Sequence, residues 1–275
     1  MTRRFRWNAA KYGLLVIFSI AALFPLVWMV ITSIKPQADV YAVPPVWIPS
    51  EVTGQHYLRV LDSGFPRAVL NSTVIALVVT FLVLLVSSLA AYGFTRFRFR
   101  GNRPLLLSSL LGHFLPDAVR FFPLYVFFLG LGLVNTRQSL VFTYISILLP
   151  ISIWTLTGYF RSIPVELDEA AMIDGCSRVK ILFRIVLPLA SPGLIAVGVF
   201  CFIWAWQEFL FALILITDAD KQTIPLALAA FLGQYQVDWG GIMAATTITV
   251  LPATIIFVVF QKWLVSGLTK GALKG

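Results

Sequence analysis

The sequence contains few side chains of the kinds that catalyse reactions or bind metals. Its two histidines, His56 and His113, lie far apart and form no ligand pattern, so metal chemistry has no support. Cys176 falls in a polar stretch and Cys201 in an apolar run, which offers no disulfide framework. The phosphate loop G-x-x-x-x-G-K-[ST] is absent, so we assign this chain no ATP site. The sequence therefore predicts a non-enzymatic chain with no catalytic residue, metal or cofactor.

Three polar side chains interrupt one apolar run at helical spacing. His113, Asp117 and Arg120 are four and three residues apart, which predicts that they share one helical face. Polar groups at membrane depth are costly and usually face protein or water. The default interpretation is that Asp117 and Arg120 neutralise each other. In the functional alternative this face lines a translocation path, and Pro116 and Pro123 loosen the helix beside it.

A second polar group interrupts a later apolar run. Gln207 and Glu208 follow two tryptophans, Trp204 and Trp206. The interpretation we favour is an inter-helix hydrogen bond or a contact between subunits. The functional alternative is that Glu208 binds a substrate hydroxyl and that one of the tryptophans stacks on the substrate. Tryptophans are also ordinary interface and packing residues in membrane proteins.

The composition places these groups in a membrane. Of the 275 residues, 59% are hydrophobic and 12% are charged, whereas a soluble domain carries roughly 25% charged residues. Apolar runs near 20 residues recur, as a bilayer-spanning helix requires, and the alternating ten-residue segments of a barrel are missing. The sequence predicts one all-α, polytopic membrane domain over residues 1–275, with six transmembrane helices. Their expected positions are about 12–33, 68–94, 105–129, 140–160, 193–216 and 241–265.

The positive charges indicate how these helices are oriented. With six helices, 15 of the 21 Lys and Arg residues fall on the side of the two termini and 5 fall on the other side. Because Lys and Arg collect on the cytoplasmic side, both termini are predicted to be cytoplasmic. The net charge of +9 reflects this placement, and we do not take it as a sign of nucleic-acid binding.

With this topology, the polar stretch of residues 161–192 is a cytoplasmic loop between helices four and five. It carries eight charged residues. Ser162 can cap a first helix, Gly175 is placed to end it, and Ser177 can begin a second helix that continues until Pro188. The expected product is a helix–glycine–helix hairpin. From these residues alone, a docking element and a solvated amphipathic loop both remain open.

The residues of this loop resemble the signature of permease subunits in binding-protein-dependent ATP-binding-cassette (ABC) importers. That signature is Glu-Ala-Ala, three residues, Gly, nine residues, Ile, one residue, Leu-Pro. The matched positions are Glu169, Ala170, Ala171, Gly175, Ile185, Leu187 and Pro188. Segments 132–136, 154–160, 204–209 and 267–275 are also similar to the sugar-importer branch, which includes maltose- and trehalose-type permeases.

The resemblance implies a type I ABC importer permease fold in a bacterial inner membrane. It implies a half-pore that pairs with a second homologous permease, two ATPase subunits that bind ATP and magnesium, an extracytoplasmic solute-binding protein, and surrounding membrane lipid. In the family the hairpin is a coupling helix. Here Glu169 would make its charged contact with the ATPase, Gly175 would form its turn, and Asp174 would lie beside that turn.

Other functions remain to be compared with import of a di- or oligosaccharide. The same machinery could import a polyol or a glycerophosphate-type solute, for which Arg120 would be an anion ligand. An ion-coupled secondary transporter would use Asp117, Arg120 and Glu208 as a relay. A membrane scaffold would transport nothing. The complete signature disfavours the last two, because neither needs an ATPase-docking hairpin.

Overall fold

Helices account for nearly all of the structure. The computed structural model describes residues 2–114, 116–233 and 237–272. The helices that precede residue 131 are α1 (Thr2–Ser33), α2 (Gln37–Val40), α3 (Gln55–Asp62), α4 (Phe65–Arg96), α5 (Asn102–Leu111) and α6 (Asp117–Gly130). The later helices are α7 (Arg137–Arg161), α8 (Glu166–Ile173), α9 (Arg178–Leu189), α10 (Ser191–Gln207), α11 (Leu210–Leu215), α12 (Ile224–Ala230) and α13 (Trp239–Ala272). Short 3₁₀ turns cover Gly112–Phe114 and Ala219–Lys221.

Six spans can be counted within the described residues. Four single helices are long and apolar enough to cross a bilayer, namely Lys11–Ser33, Phe65–Arg96, Arg137–Arg161 and Trp239–Lys262. Two bent pairs, α5 with α6 and α9 with α10, bring the number of candidate spans to six when each pair is counted once; in the second pair, α9 lies in the 161–192 loop and α10 carries the apolar run. The all-α, six-span architecture predicted from the apolar runs is confirmed.

Two of the predicted helices are not continuous. The prediction of one helix over 105–129 is wrong, because the chain bends by 97° between α5 and α6, and Pro116 lies at the break. A proline removes a backbone donor and clashes with the preceding turn, so it breaks the helix. The predicted helix over 193–216 is also interrupted, at Glu208 and Phe209, between α10 and α11. No proline marks that second break.

The chain divides into two compact units. One consists of residues 1–66 with 227–251, and the other of residues 67–226 with 252–275. In the first unit, the buried ring of His56 donates from Nε2 to the carbonyl oxygen of Lys35 at 2.9 Å and accepts from Arg59 at Nδ1. Arg59 also pairs with Asp238 at 3.4 Å. This polar chain fastens α3 to the segment before α13.

In the second unit, α7 and α10 approach each other closely. A Cβ atom placed on Gly193 of α10 would lie 2.5 Å from Cγ of Tyr159 on α7. Only glycine fits such a contact, because the ring atoms nearest the backbone have little freedom to move. The close approach sets the position of α10, and α10 follows directly from the hairpin formed by α8 and α9.

The segment that joins α11 to the next helix is held by one asparagine. Asn135 adopts a positive φ of 61°, and its side-chain oxygen accepts hydrogen bonds from the backbone N–H groups of Thr217 and Asp218 at 3.1 and 3.0 Å. Its carbonyl oxygen accepts from Lys221. Lys221 also pairs with Asp218 at 2.8 Å, and this hydrogen bond lowers the pKa of the Asp218 carboxyl group. The loop is therefore an ordered structure.

Candidate functional site

The hairpin, defined here as α8, α9 and their connecting turn, has a Schellman turn at its tip. Gly175 has a φ of +78°, and its N–H donates to the carbonyl of Met172 at 3.0 Å. The next N–H, of Cys176, donates to the carbonyl of Ala171 at 2.9 Å. These two bonds satisfy carbonyls that the end of a helix would otherwise leave free. Gly175 therefore makes the turn, because a side chain would strain a backbone with positive φ.

The second helix begins where the sequence predicted. The Ser177 side chain accepts a hydrogen bond from the N–H of Lys180 at 3.4 Å and caps α9. The start of α9 is also held from outside, since the guanidinium of Arg178 lies 4.8 Å from the ring centroid of Phe97, just beyond α4. A cation over an aromatic face is attractive by about 0.5–1 kcal/mol at an exposed site.

The two ends of the hairpin differ from the prediction. Ser162 does not cap α8; it follows α7, and its hydroxyl donates to the Tyr159 carbonyl at 2.7 Å. The second helix passes through Pro188 to Leu189 and contains a π-helical turn, Leu182–Val186. Pro188 has no N–H and cannot continue a regular α-helical ladder, so the wider turn lies directly before it. An 82° bend then leads into α10.

A buried ion pair holds the first helix of the hairpin. Arg96, the last residue of α4, donates from Nε to Oδ2 of Asp168 on α8 at 3.0 Å. The two side chains are only 3% and 4% exposed. Tyr92, one turn earlier on α4, donates its hydroxyl to the same oxygen at 2.9 Å. The hairpin is therefore fixed to the end of α4 by a charge pair with an additional hydrogen bond.

The same guanidinium also reaches the end of α7. Its two terminal nitrogens donate to the carbonyls of Phe160 and Ile163 at 3.4 and 3.1 Å. The planar fork of arginine suits this role, because it presents five donors in fixed directions. One side chain, Arg96, thus joins α4, the end of α7 and α8.

Sequence reasoning missed both members of this pair as functional residues. Arg96 entered the sequence analysis only as one of the 15 Lys and Arg residues on the side of the termini, and Asp168 only as one of the eight charged residues of the 161–192 loop. One signal was present, since Asp168 precedes Ala171 by three residues and shares with it one helical face. Asp168 and Ala171 are both buried. A carboxylate on a buried helical face requires a positively charged or hydrogen-bonding partner, but the sequence does not show which residue this is.

The remaining signature residues differ in their exposure along the hairpin. Glu169, Ala170 and Asp174 are exposed, and Ala171 faces inward. Ile173, next to the turn, is 88% exposed, which is unusual for an isoleucine in an ordered helix. Acidic groups and small apolar groups therefore share one accessible surface. Further along the hairpin, Ile185 and Leu187 are half-buried and Pro188 is exposed.

Glu208 lies at the break in the fifth span. Its Oε1 accepts from the N–H of Phe211 at 2.7 Å, and its Oε2 accepts from the N–H of Ala212 at 3.2 Å. The Tyr144 hydroxyl on α7 donates to Oε2 at 2.6 Å. One carboxylate thus caps α11, satisfies N–H groups that a broken helix leaves free, and joins α11 to α7. It makes the inter-helix hydrogen bond that the sequence analysis favoured.

The two tryptophans have different surroundings. Trp204 contacts the ring of Tyr144 edge to face, with 5.4 Å between centroids. Trp206 is buried and stacks on Phe202, with 5.5 Å between centroids. Gln207, the last residue of α10, is exposed. The structure therefore brings Trp204, but not Gln207, to the Glu208 hydrogen-bond group.

The polar group of the third span is divided. Asp117 and Arg120 form an ion pair at 3.1 Å within the first turn of α6, as the default interpretation expected. His113 lies in the 3₁₀ turn on the other side of the break. The prediction that all three residues share one helical face is therefore wrong for His113, because the bend at Pro116 separates it from α6. No cluster of three or more potential metal ligands occurs among the residues described.

Comparison with known proteins assigns this arrangement to a family. Residues 84–270 match the model of the binding-protein-dependent transport system inner membrane component. The chain belongs to this family. It is therefore a permease, a non-catalytic membrane subunit of an ABC transporter, and ATP hydrolysis is carried out by separate ATPase subunits. The match includes the hairpin, the Arg96 anchor and the Glu208 break.

Full-length relatives support the assignment. The permease is 42% identical to the trehalose/maltose transport system permease protein MalG of Thermococcus litoralis, over 94% of each chain. It is 34% identical to the diacetylchitobiose uptake system permease protein DasC of Streptomyces coelicolor, over 94% of this chain and 95% of the relative. A solved bacterial ABC transporter involved in alginate import shares the fold, with a TM-score of 0.83, 22% identity and coverage of 93% and 95%. The permease has the type I fold.

Removing the buried carboxylate should weaken the hairpin before the rest of the permease. Asp168→Ala leaves the Arg96 guanidinium buried without a counter-charge, at a cost of about 3–5 kcal/mol in the free energy of unfolding. We expect a lower melting temperature and faster amide hydrogen exchange over residues 163–177. Asp174→Ala removes an exposed carboxylate from the same hairpin and should change neither quantity. Equal exchange in the two variants would contradict the anchoring role.

Glu208 should matter for stability more than for the choice of solute. Glu208→Ala leaves the N–H groups of Phe211 and Ala212 and the Tyr144 hydroxyl without their acceptor, at about 1–3 kcal/mol for each unsatisfied group. We expect a lower yield of folded permease and reduced assembly with its partner subunits, while competing solutes keep the same order of uptake. Glu208→Gln retains one acceptor oxygen and should be intermediate. A changed order of uptake with intact assembly would assign Glu208 to the solute path.

Proposed function

We propose that this permease forms half of the translocation pore of an ATP-driven importer for a di- or oligosaccharide. Each of the two relatives described above is named for a sugar uptake system, and each matches the permease over nearly its whole length. We further propose that a second homologous permease completes the pore and that an extracytoplasmic solute-binding protein delivers the sugar. Both termini are then cytoplasmic, on the side of the hairpin.

The proposed coupling mechanism uses the hairpin as the contact with two ATPase subunits, which bind ATP and magnesium. The observation that carries it is that the hairpin has an exposed rim, formed by Glu169 and Ile173, and a buried anchor, formed by Arg96 and Asp168. Glu169 and Ile173 offer a charged and an apolar group to a partner. Arg96 and Asp168 fasten the same helix to the transmembrane helices behind it. A force applied at the rim is thereby transmitted to α4 and α7.

Coupling also requires that each ligand distinguishes between pore states. A ligand shifts a conformational equilibrium only by the difference between its affinities for the two states. Closure of the ATPase dimer must therefore favour one tilt of the hairpin, and the loaded binding protein must favour one state of the pore. The tight approach of Gly193 to Tyr159 makes α10 move with α7, so the tilt is transmitted along both helices.

Changes in the hairpin should abolish transport without removing the permease from the membrane. Glu169→Lys reverses the charge at the rim, and Gly175→Pro fixes φ near −65° where the turn requires +78°. We expect both variants to lower ATP-dependent uptake at least tenfold, measured with radiolabelled sugar in cells, while membrane levels on immunoblots stay normal.

Two matched variants serve as controls for the hairpin. Gly175→Asn should keep most of the uptake, because asparagine tolerates positive φ. Glu51→Lys makes the same charge reversal at an exposed residue outside the hairpin and should be neutral. Uptake at the level of the unmodified permease in Glu169→Lys and Gly175→Pro would overturn the coupling assignment.

The solute and the energy source can be tested together. The permease should co-purify in detergent with a second permease and ATPase subunits. When the binding protein is added, maltose, trehalose or a chitin disaccharide should raise ATP hydrolysis severalfold, whereas a polyol and glycerol phosphate should not. Stimulation by glycerol phosphate would favour the alternative solute class. Uptake that follows an ion gradient and needs no ATPase would favour a secondary transporter.

A further inference from the structure

The loop after α4 forms an open pocket that has no role in the proposed coupling. Its volume is about 490 Å³. Three aromatic and two cationic residues of the sequence FTRFRFR dominate its lining. They are Phe94, Phe97, Phe99, Arg98 and Arg100. We refer to it as the loop pocket.

Asn102 and Gly101 fix the backbone of the loop pocket. The Asn102 side-chain amide donates to the carbonyls of Phe94 and Phe97 at 3.0 and 3.3 Å, which closes the end of α4. The N–H of Asn102 donates to the Phe99 carbonyl at 3.4 Å. Gly101 turns the chain with a φ of +89°. The residues that line the pocket are therefore held in position by backbone contacts before any ligand binds.

The two arginines of the pocket are available for an anion. Arg98 and Arg100 are exposed, and within the described residues neither forms a salt bridge with a carboxylate. Arg96, two residues earlier, differs because Asp168 neutralises it in the interior. Two unneutralised guanidinium groups, two residues apart on a fixed loop, suit phosphate oxygens, which arginine binds through paired N–H donors.

The aromatic rings identify the environment of that anion. Phe94 and Phe99 lie 5.9 Å apart, and Phe97 and Phe99 remain nearly half exposed. The pocket begins within two residues of the end of the membrane span Phe65–Arg96. Apolar rings beside cationic side chains at the end of a span match the boundary between acyl chains and headgroups.

We propose that the loop pocket binds the headgroup of an anionic phospholipid. Its phosphate lies between Arg98 and Arg100, and the first carbons of its acyl chains lie against Phe94 and Phe99. Glycerol phosphate and free phosphate share the phosphate chemistry but lack the acyl chains. The three rings therefore favour the lipid over a soluble anion. Lipid is present at this site, because the pocket lies at the end of a membrane span.

The pocket adjoins the anchor of the hairpin. Phe97 lines the pocket and also lies under the guanidinium of Arg178 at the start of α9. A bound lipid therefore restrains Phe97 and, through it, one of the two attachments of the hairpin to α4. Binding itself does not depend on the proposed transport function, so the two can fail separately.

The test measures lipid retained by the full-length permease with its co-purifying subunits. The complex is exchanged into detergent with equal amounts of phosphatidylglycerol and phosphatidylcholine and examined by native mass spectrometry. The unmodified permease should retain phosphatidylglycerol preferentially. Arg98→Gln with Arg100→Gln should retain one fewer phosphatidylglycerol and lower its apparent affinity at least tenfold, since each arginine near an anionic surface contributes roughly fivefold.

Matched variants separate a site from general surface charge. Arg103→Gln removes a nearby exposed arginine that does not line the pocket and should bind lipid normally. Arg98→Lys with Arg100→Lys keeps both charges and should retain most of the binding. If the double glutamine variant does not fold, the single variants Arg98→Gln and Arg100→Gln should each lower the affinity roughly fivefold.

Three results would overturn the proposal. The first is equal loss of lipid in Arg103→Gln and in the pocket variants, which would indicate a diffuse charge effect. The second is displacement of the lipid by millimolar inorganic phosphate but not by chloride at the same ionic strength, which would indicate a soluble anion. The third is unchanged lipid binding with loss of the co-purifying ATPase, which would make the loop a protein contact.

Discussion

The contact between Arg96 and Asp168 is the interaction on which the attachment of the hairpin in this permease depends. Charges are expensive to bury, and a buried pair persists only where its geometry and additional hydrogen bonds compensate for lost hydration. Here Tyr92 and two backbone carbonyls supply those bonds. Because the guanidinium is planar and its donors point in fixed directions, the pair sets the angle of α8 as well as its distance from α4. An apolar contact would hold the helix less specifically.

A second constraint shapes the membrane-spanning part. Backbone groups within a bilayer must be satisfied by the protein, so every break in a spanning helix needs donors or acceptors from elsewhere. At the fifth span Glu208 supplies the acceptors, and Tyr144 holds the carboxylate from the neighbouring helix. The break is therefore stabilised by specific hydrogen bonds within the protein. It divides the span into α10, which continues from the hairpin, and α11, which precedes the segment held by Asn135.

The sequence was sufficient for features that depend on local chemistry. The apolar runs predicted the spans, because bilayer thickness fixes their length. Gly175 and Ser177 predicted the turn and restart of the hairpin, because positive φ and helix capping each favour few residue types. Pro116 indicated that the helix of the third span could be loosened there. The size of the bend depends on the residues that pack around the break.

Features that depend on distant partners were beyond the sequence. Arg96 and Asp168 are 72 residues apart, and nothing in either neighbourhood identifies the other. The sequence predicted a continuous helix through Glu208, because no proline or glycine marks the break. The inter-helix hydrogen bond favoured for Glu208 is present, but neither its partner Tyr144 nor its hydrogen bonds to the N–H groups of α11 could be read from the sequence. In both cases tertiary contacts decide which of several locally acceptable arrangements forms.

The π-helical turn at Leu182–Val186 gives the spacing of the signature a mechanical meaning. A π turn holds one more residue than the α turn that it replaces, and one residue corresponds to about 100° of rotation in a helix. The interval from Gly175 to Ile185 includes the beginning of this turn. Deleting a single residue there would rotate the hairpin tip about the axis of α9 relative to α10. Glu169 and Ile173 would then point in a different direction while every helix remained intact, so the spacing of the signature sets an angle between the hairpin tip and α10.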